Sequence, residues 1–143
     1  PRTVFGEKPC DRATTFIVKG LGRLATVDVV VQDMRADGLA GRFDYVYVPM
    51  MVHNRRPFGR GLAIVNFTDP EAVHRWNPIR THDRPREVRP ARLQGAQPNL
   101  AEFWRNVAKR GWREFEHELS RPWVAPGSHQ ESKDLRAAEL PVW

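Results

Sequence analysis

The six residues Leu62 to Phe67, L-A-I-V-N-F, narrow the folding options more than any other stretch of this chain. They are too few for a stable helix, and Gly59 and Gly61 before them and Asp69-Pro70 after them close the segment on both sides. A strand with one wet face alternates apolar and polar side chains. Leu62 to Val65 is apolar without a break, so the pattern predicts a central strand covered on both faces.

The neighbouring segments say what such a strand belongs to. T-T-F-I-V-K-G-L-G, Thr14 to Gly22, is a short β-rich run closed by glycines. Thr26 is a candidate N-cap for a helix ending at Asp37-Gly38, with Gly38 as its left-handed stop. V-D-V-V-V within that segment favours strand by propensity, but the cap and stop signals and a length of about 11 residues favour helix. Phe43 to Met50 alternates as a strand, with Pro49 marking its end or a sheet edge. H-N-R-R-P-F-G-R, from His53, reads as a loop. Asp69-Pro70-Glu71 is a strong helix start for a segment ending near Trp76, and a last strand is expected near Glu87 to Leu93. The order is β-α-β-β-α-β, which predicts an α+β, ferredoxin-like sandwich of a four-stranded antiparallel sheet and two helices.

Around that unit the composition changes. Residues 1–13 form an irregular arm, and the domain is expected over 14–97. Within 98–119, Leu100, Phe103, Trp104, Val107, Ala108, Trp112, Phe115 and Leu119 recur at helical spacing as one apolar stripe, with Gly111 as a kink or break. Residues 120–143 are rich in Pro, Ser and charge and predict an extended tail, in which Trp123 and Trp143 serve as single anchors.

No apolar run approaches the roughly 18–20 residues needed to span a bilayer. The first residue is Pro1, not Met, consistent with a chain processed or trimmed at its start, with or without loss of a targeting segment. The single Cys10 excludes an internal disulfide and a Cys-based zinc site. Net charge is +6, and all but four of the 23 basic residues are Arg. A basic surface suits phosphate backbones, though it equally suits any acidic partner.

Four blocks of the sequence resemble the C-terminal RNA-recognition motif (RRM) of the meiosis-regulator, or Mei-two-like, RNA-binding proteins. Thr14-Thr15 followed by F-I-V-K-G-L-G is similar to T-T-h-h-h-R-N-h-P, where h is hydrophobic. Gly38 to Pro49 is similar to G-F-x-G-x-Y-D-F-x-Y-L-P, and Gly61 to Pro70 to G-Y-A-F-h-N-F-x-D-P. Ala91 to Gly95 matches A-R-h-Q-G. The blocks cover residues 14 to 95 in order, with a longer loop before Gly61. The resemblance implies an RRM with a C-terminal helical extension, single-stranded RNA as ligand, and a nuclear or cytoplasmic setting. It also implies an outer sheet face made by Ile17 and Lys19 on the first strand and by Arg60, Leu62 and Ile64 on the third. Phe16, Val18, Ala63, Val65 and Phe67 would point inward.

One departure is central. The RRM octapeptide reads K/R-G-F/Y-G/A-F-V-x-F/Y, and its inner rings stack bases. Here Leu62 and Ile64 occupy those positions. Each stacked base is worth about 1–3 kcal/mol, so such a chain would depend on Arg contacts and loops. The candidates are Arg80, Arg84, Arg86, Arg89 and Arg92 in the basic run from Arg75 to Arg92, with Tyr45 and Tyr47 as the rings able to replace the lost stack. A solvated edge strand and ordinary rim packing are the plain alternatives. The cover for the Leu62–Val65 strand could be the helical stripe or a partner protein. A covered sheet would make the chain a structural or protein-binding subunit of a larger complex.

Catalysis is not expected. G-x-x-x-x-G-K, H-E-x-x-H and G-x-S-x-G are absent, and the histidines at 53, 74, 82, 117 and 129 lack metal-ligand spacing. Glu114, Glu116 and Glu118 alternate and form a solvated face. Asn66-Phe67-Thr68 fits a glycosylation sequon, but Asn66 belongs to the strand pattern. No cofactor is expected.

Overall fold

The computed structural model describes residues 13–54, 56–69, 71–76, 87–110 and 121–126. Its elements are β1 (Thr15–Lys19), α1 (Val27–Ala36), β2 (Phe43–Tyr47), β3 (Met50–His53), β4 (Arg56–Gly59), β5 (Leu62–Phe67), α2 (Ala72–Arg75), β6 (Glu87–Pro90), α3 (Ala96–Arg110) and β7 (Trp123–Val124). The main sheet is antiparallel in the order β6-β1-β5-β2-β7, and β3 and β4 form a separate hairpin. Without the hairpin and β7, the four strands in sequence order lie as fourth-first-third-second, joined as β-α-β-β-α-β. This is the ferredoxin-like RRM fold, a split βαβ arrangement.

The inner face of the sheet meets α1 and α2. Phe16 and Val18 of β1, Ala63, Val65 and Phe67 of β5, and Phe43 and Val46 of β2 pack with Val27, Val30, Val31 and Met34 of α1 and with Ala72 and Trp76. The spacing 27, 30, 31, 34 is one helical face, which explains why helix prevails over the strand propensity of the valines. Thr26 Oγ1 accepts from Val29 N at 3.3 Å, and Gly38 at φ +85° ends the helix while its N–H donates to Arg35 O. Glu71, not the expected Asp69, is the N-cap of α2 and makes no side-chain cap bond; Asp69 Oδ1 accepts from Glu71 N at 3.0 Å ahead of the helix, and its carboxylate also pairs with Arg42.

Gly61, between β4 and β5, is the glycine the fold depends on most directly. Its φ is +82°, and a Cβ there would lie 2.7 Å from Leu21 O.

Four expectations need correction. The loop expected from His53 is a hairpin, held to the chain before α1 by Gly59 N donating to Arg23 O at 2.8 Å, with Asn54 at φ 53° in its turn. The strand expected over 43–50 therefore breaks after Tyr47. The C-terminal helix begins at Ala96, not 98 or 99. Asn99 Nδ2 donates to Gly95 O and Leu93 O, and Pro98 falls in the first turn, where its missing N–H costs nothing. The tail is more than an extended arm. Trp123–Val124 adds a fifth strand against β2, and Trp123 packs on Phe43 with ring centroids 5.0 Å apart. Ala13, at the end of the expected arm, is buried in the core, while residues 1–12, Gly111, Trp112, Phe115, Leu119 and Trp143 lie outside the described residues.

Candidate nucleic-acid interface

Side-chain alternation puts Thr15, Ile17 and Lys19 on the outer face of β1, with Leu62, Ile64 and Asn66 on β5 and Tyr45 and Tyr47 on β2. Strand register arranges them in rows. Thr15, Asn66, Tyr45 and Val124 form one; Arg89, Ile17, Ile64 and Tyr47 the next; Glu87, Lys19 and Leu62 the third.

The helix α3 lies over half of this face. Leu100, Phe103, Trp104 and Val107 form a second apolar cluster with Tyr45, joined at its margin by Tyr47, Ile64, Ala96 and Val124. Phe103 meets Tyr47 edge-on with centroids 5.3 Å apart. The apolar run Leu62 to Val65 is thus explained within the chain: Ala63 and Val65 face α1, and Ile64 faces α3. Ala108, part of the expected stripe, is exposed because its helical phase carries it off the sheet side.

A polar network fixes where α3 begins. Gln94 Oε1 accepts from Thr14 N and Thr15 N, and its Nε2 donates to Thr15 O and Ala91 O. Gly95 N donates to Thr15 Oγ1 at 2.7 Å, and that hydroxyl donates to Asn66 Oδ1 at 2.6 Å. Asn66 Nδ2 in turn donates to Asp44 Oδ1 at 2.8 Å. Thr14-Thr15, Asp44, Asn66 and Gln94-Gly95 come from the four separate blocks that carry the family resemblance, and they meet here.

Covered and open halves differ electrostatically. Burial pushes the Tyr45 phenol far above its ordinary range, with a smaller push from Tyr47. The Tyr47 phenol is also raised by burial, and Arg110 and Arg60 pull it back down. On the open side, Arg89 pairs with Glu87 on the same strand, and both side chains remain well exposed at 64% and 46%.

The sites expected from sequence therefore separate. Lys19, Arg60, Arg89 and Arg92 are exposed, and Ile17 and Leu62 are half-buried on the open half. Ile64 and Tyr47 lie at the edge of the α3 cluster. Tyr45 is only 1% exposed, so no base stacks on it while α3 is seated; the helix fills the place a base would take. Arg80, Arg84 and Arg86 lie outside the described residues. Sequence reasoning missed Arg110, which continues the 100/103/107 face of α3 and could have been found by that spacing.

No protein-family model and no curated protein matches the sequence. Among solved structures, the chain is similar to the RRM of Rna15 with bound RNA (GU), at 13% identity and a TM-score of 0.44 over 56% of this chain and 84% of that one. It is also similar to a Sxl-lethal protein/RNA complex, at 22% identity and a TM-score of 0.43 over 62% of this chain. In the latter case it spans about half of the matched chain, 53%. Strand order and register carry the fold without these likenesses.

Proposed function

We propose that the chain is a non-catalytic, single-stranded RNA-binding module, similar to the Mei-two-like C-terminal RRM, that holds RNA on the open half of its sheet mainly through Arg and Lys. The observation that carries this is the grouping of exposed Lys19, Arg60 and Arg89 around half-buried Ile17 and Leu62 at the sheet centre. Cations there neutralise phosphates, and the flat aliphatic surface leaves room for bases without selecting among them. Arg92 extends the same edge, and Arg80, Arg84 and Arg86 belong to the proposed surface by sequence. Sequence discrimination is weak, because contacts to phosphate carry no base information.

A second reading has its own support. The seating of Tyr45, Tyr47 and Ile64 under α3, together with the extra strand β7, suits an RRM fold recruited as a structural or protein-binding subunit of a larger complex.

Fluorescence anisotropy of the full chain with a pool of single-stranded RNAs, at two salt concentrations, separates the two. Micromolar or tighter binding that weakens with salt is expected. Failure to bind any RNA at low salt removes the first reading and leaves the second.

A further inference from the structure

Of the outer-face positions on β1, β5 and β6, Glu87 alone is acidic. Strand register fixes where it stands. Glu87 lies directly across from Lys19 and Arg89 directly across from Ile17, so both β6 side chains rise on the outer face. They are two residues apart on one strand, about 6.8 Å along it, and the Glu87 carboxylate pairs with the Arg89 guanidinium. Every residue of β6 is exposed.

A carboxylate on a phosphate-binding face repels the RNA backbone. It favours binding only where it accepts from a donor on the ligand, and in RNA those donors are base edges and 2′-hydroxyls. A 2′-hydroxyl gives it one donor whatever the base. Guanine gives it two adjacent donors, N1–H and the N2 amino group. Next to them on the same rim, guanine gives a guanidinium two acceptors, O6 and N7. Adenine and cytosine offer a carboxylate one amino group, and uracil one ring N–H. A carboxylate and a guanidinium held side by side therefore match guanine better than any other base.

The ion pair itself is no obstacle. An exposed pair adds little to stability, so either partner can be shared with a ligand at small cost. Ile17, half-buried across from Arg89, and Leu62, half-buried across from Lys19, supply an apolar floor for the ring. The surrounding cations carry no base information; this pair adds it at one nucleotide.

Resting on the RNA-binding reading, we propose that Glu87 and Arg89 form a guanine-reading pair at the β6 edge of the open half. Glu87 accepts from guanine N1–H and N2–H, and Arg89 donates to O6 and N7.

The test is fluorescence anisotropy of the full chain with a labelled short oligouridine, and with the same strand carrying a single guanine, adenine or cytosine. The guanine strand is expected to bind about tenfold tighter than each of the others. Glu87→Gln is expected to erase that preference while binding the guanine-free strands as tightly as before or more tightly, since a repelling charge has left the face. Arg89→Gln is expected to erase the preference and to weaken binding to every strand. Glu102→Gln removes the same charge from an exposed ion pair on α3 and is expected to leave the preference intact. Equal binding of the four strands by the unaltered chain, or a guanine preference that survives in Glu87→Gln, overturns the guanine reader and leaves the RNA function standing. A loss in Glu87→Gln shared equally by all four strands marks a 2′-hydroxyl contact and also overturns it. Failure of the unaltered chain to bind any strand at low salt removes the RNA function, and the reader with it.

Discussion

The two halves of the outer sheet face are built from the same strands and have opposite fates. On the β2 side, Tyr45, Tyr47 and Ile64 are roofed by Leu100, Phe103, Trp104 and Val107. On the β1 side, Ile17 and Leu62 keep partial access to solvent, and Lys19 and Arg89 are exposed. The dividing line runs down β5, whose Ile64 belongs to the roofed half and whose Leu62 does not. An aromatic on the outer face of such a sheet is therefore no stacking platform by default. Rings are the best apolar payload for a docking helix, and here they serve that purpose. What remains for a ligand is the aliphatic and basic half, which the helix leaves uncovered.

The comparison breaks most easily at Phe103. It is 3% exposed and touches Tyr47 and Trp104. Phe103→Ala is expected to cost about 3–5 kcal/mol through lost burial and the cavity left behind. Ile17→Ala, on the open half, removes side chain that is already partly wet and is expected to cost about 1 kcal/mol. Urea unfolding of both variants checks this. Equal losses would mean that the two halves are equally covered, contrary to the arrangement described.

How much of this was written locally in the sequence follows from the range of the forces involved. The α1 helix was legible because its cap, its stop and its buried face are all within a dozen residues. The β1, β2 and β5 strands were legible from alternation and length, and the double cover of β5 from its unbroken apolar run. The hairpin β3–β4 was not, since Arg56-Pro57 gives no alternation and its anchor is a backbone bond to Arg23. The strand β7 is two residues long and is defined by where Trp123 docks, which no local pattern states. The start of α3 depends on Gln94 and Gly95 bonding to Thr15, about 80 residues earlier. For the strand positions Ile17, Lys19, Tyr45, Tyr47, Leu62 and Ile64, side-chain parity was legible, but exposure was not. Tyr45 and Ile17 share a face; only the landing place of α3 decides that one is buried and the other open.

Thr15 links the two halves, since it lies on β1 and holds the start of α3. Replacing its hydroxyl by a methyl in Thr15→Val keeps the shape and removes the partner of Gly95 N and one donor to Asn66 Oδ1. Asn66 keeps the Thr14 hydroxyl, so the loss is partial, about 1–3 kcal/mol for the buried amide left unmatched. Thermal unfolding measures it. A variant as stable as the original would mean that the helix start is held by packing alone, and the roofed half would then owe nothing to the network.

Raising the pH sharpens the comparison with a smaller effect, because it acts on the buried phenol of the roofed half. Tyr45 is buried, and burial disfavours its phenolate, so its ionisation in the folded chain lies above the ordinary value near 10. Below that ordinary value both folded and unfolded chains hold the proton, and the full stability is present. Above it the unfolded chain releases the proton while the folded chain keeps it, so stability falls with rising pH. The decline from this one phenol is about 1.4 kcal/mol per pH unit. Tyr45→Phe is expected to remove that slope, leaving the weaker one of Tyr47, whose rise by burial is opposed by Arg110 and Arg60. Alkaline unfolding followed by circular dichroism compares the two chains. If both lose stability equally above pH 10, Tyr45 ionises as freely as a solvated phenol, and α3 does not seal the half of the sheet that it roofs.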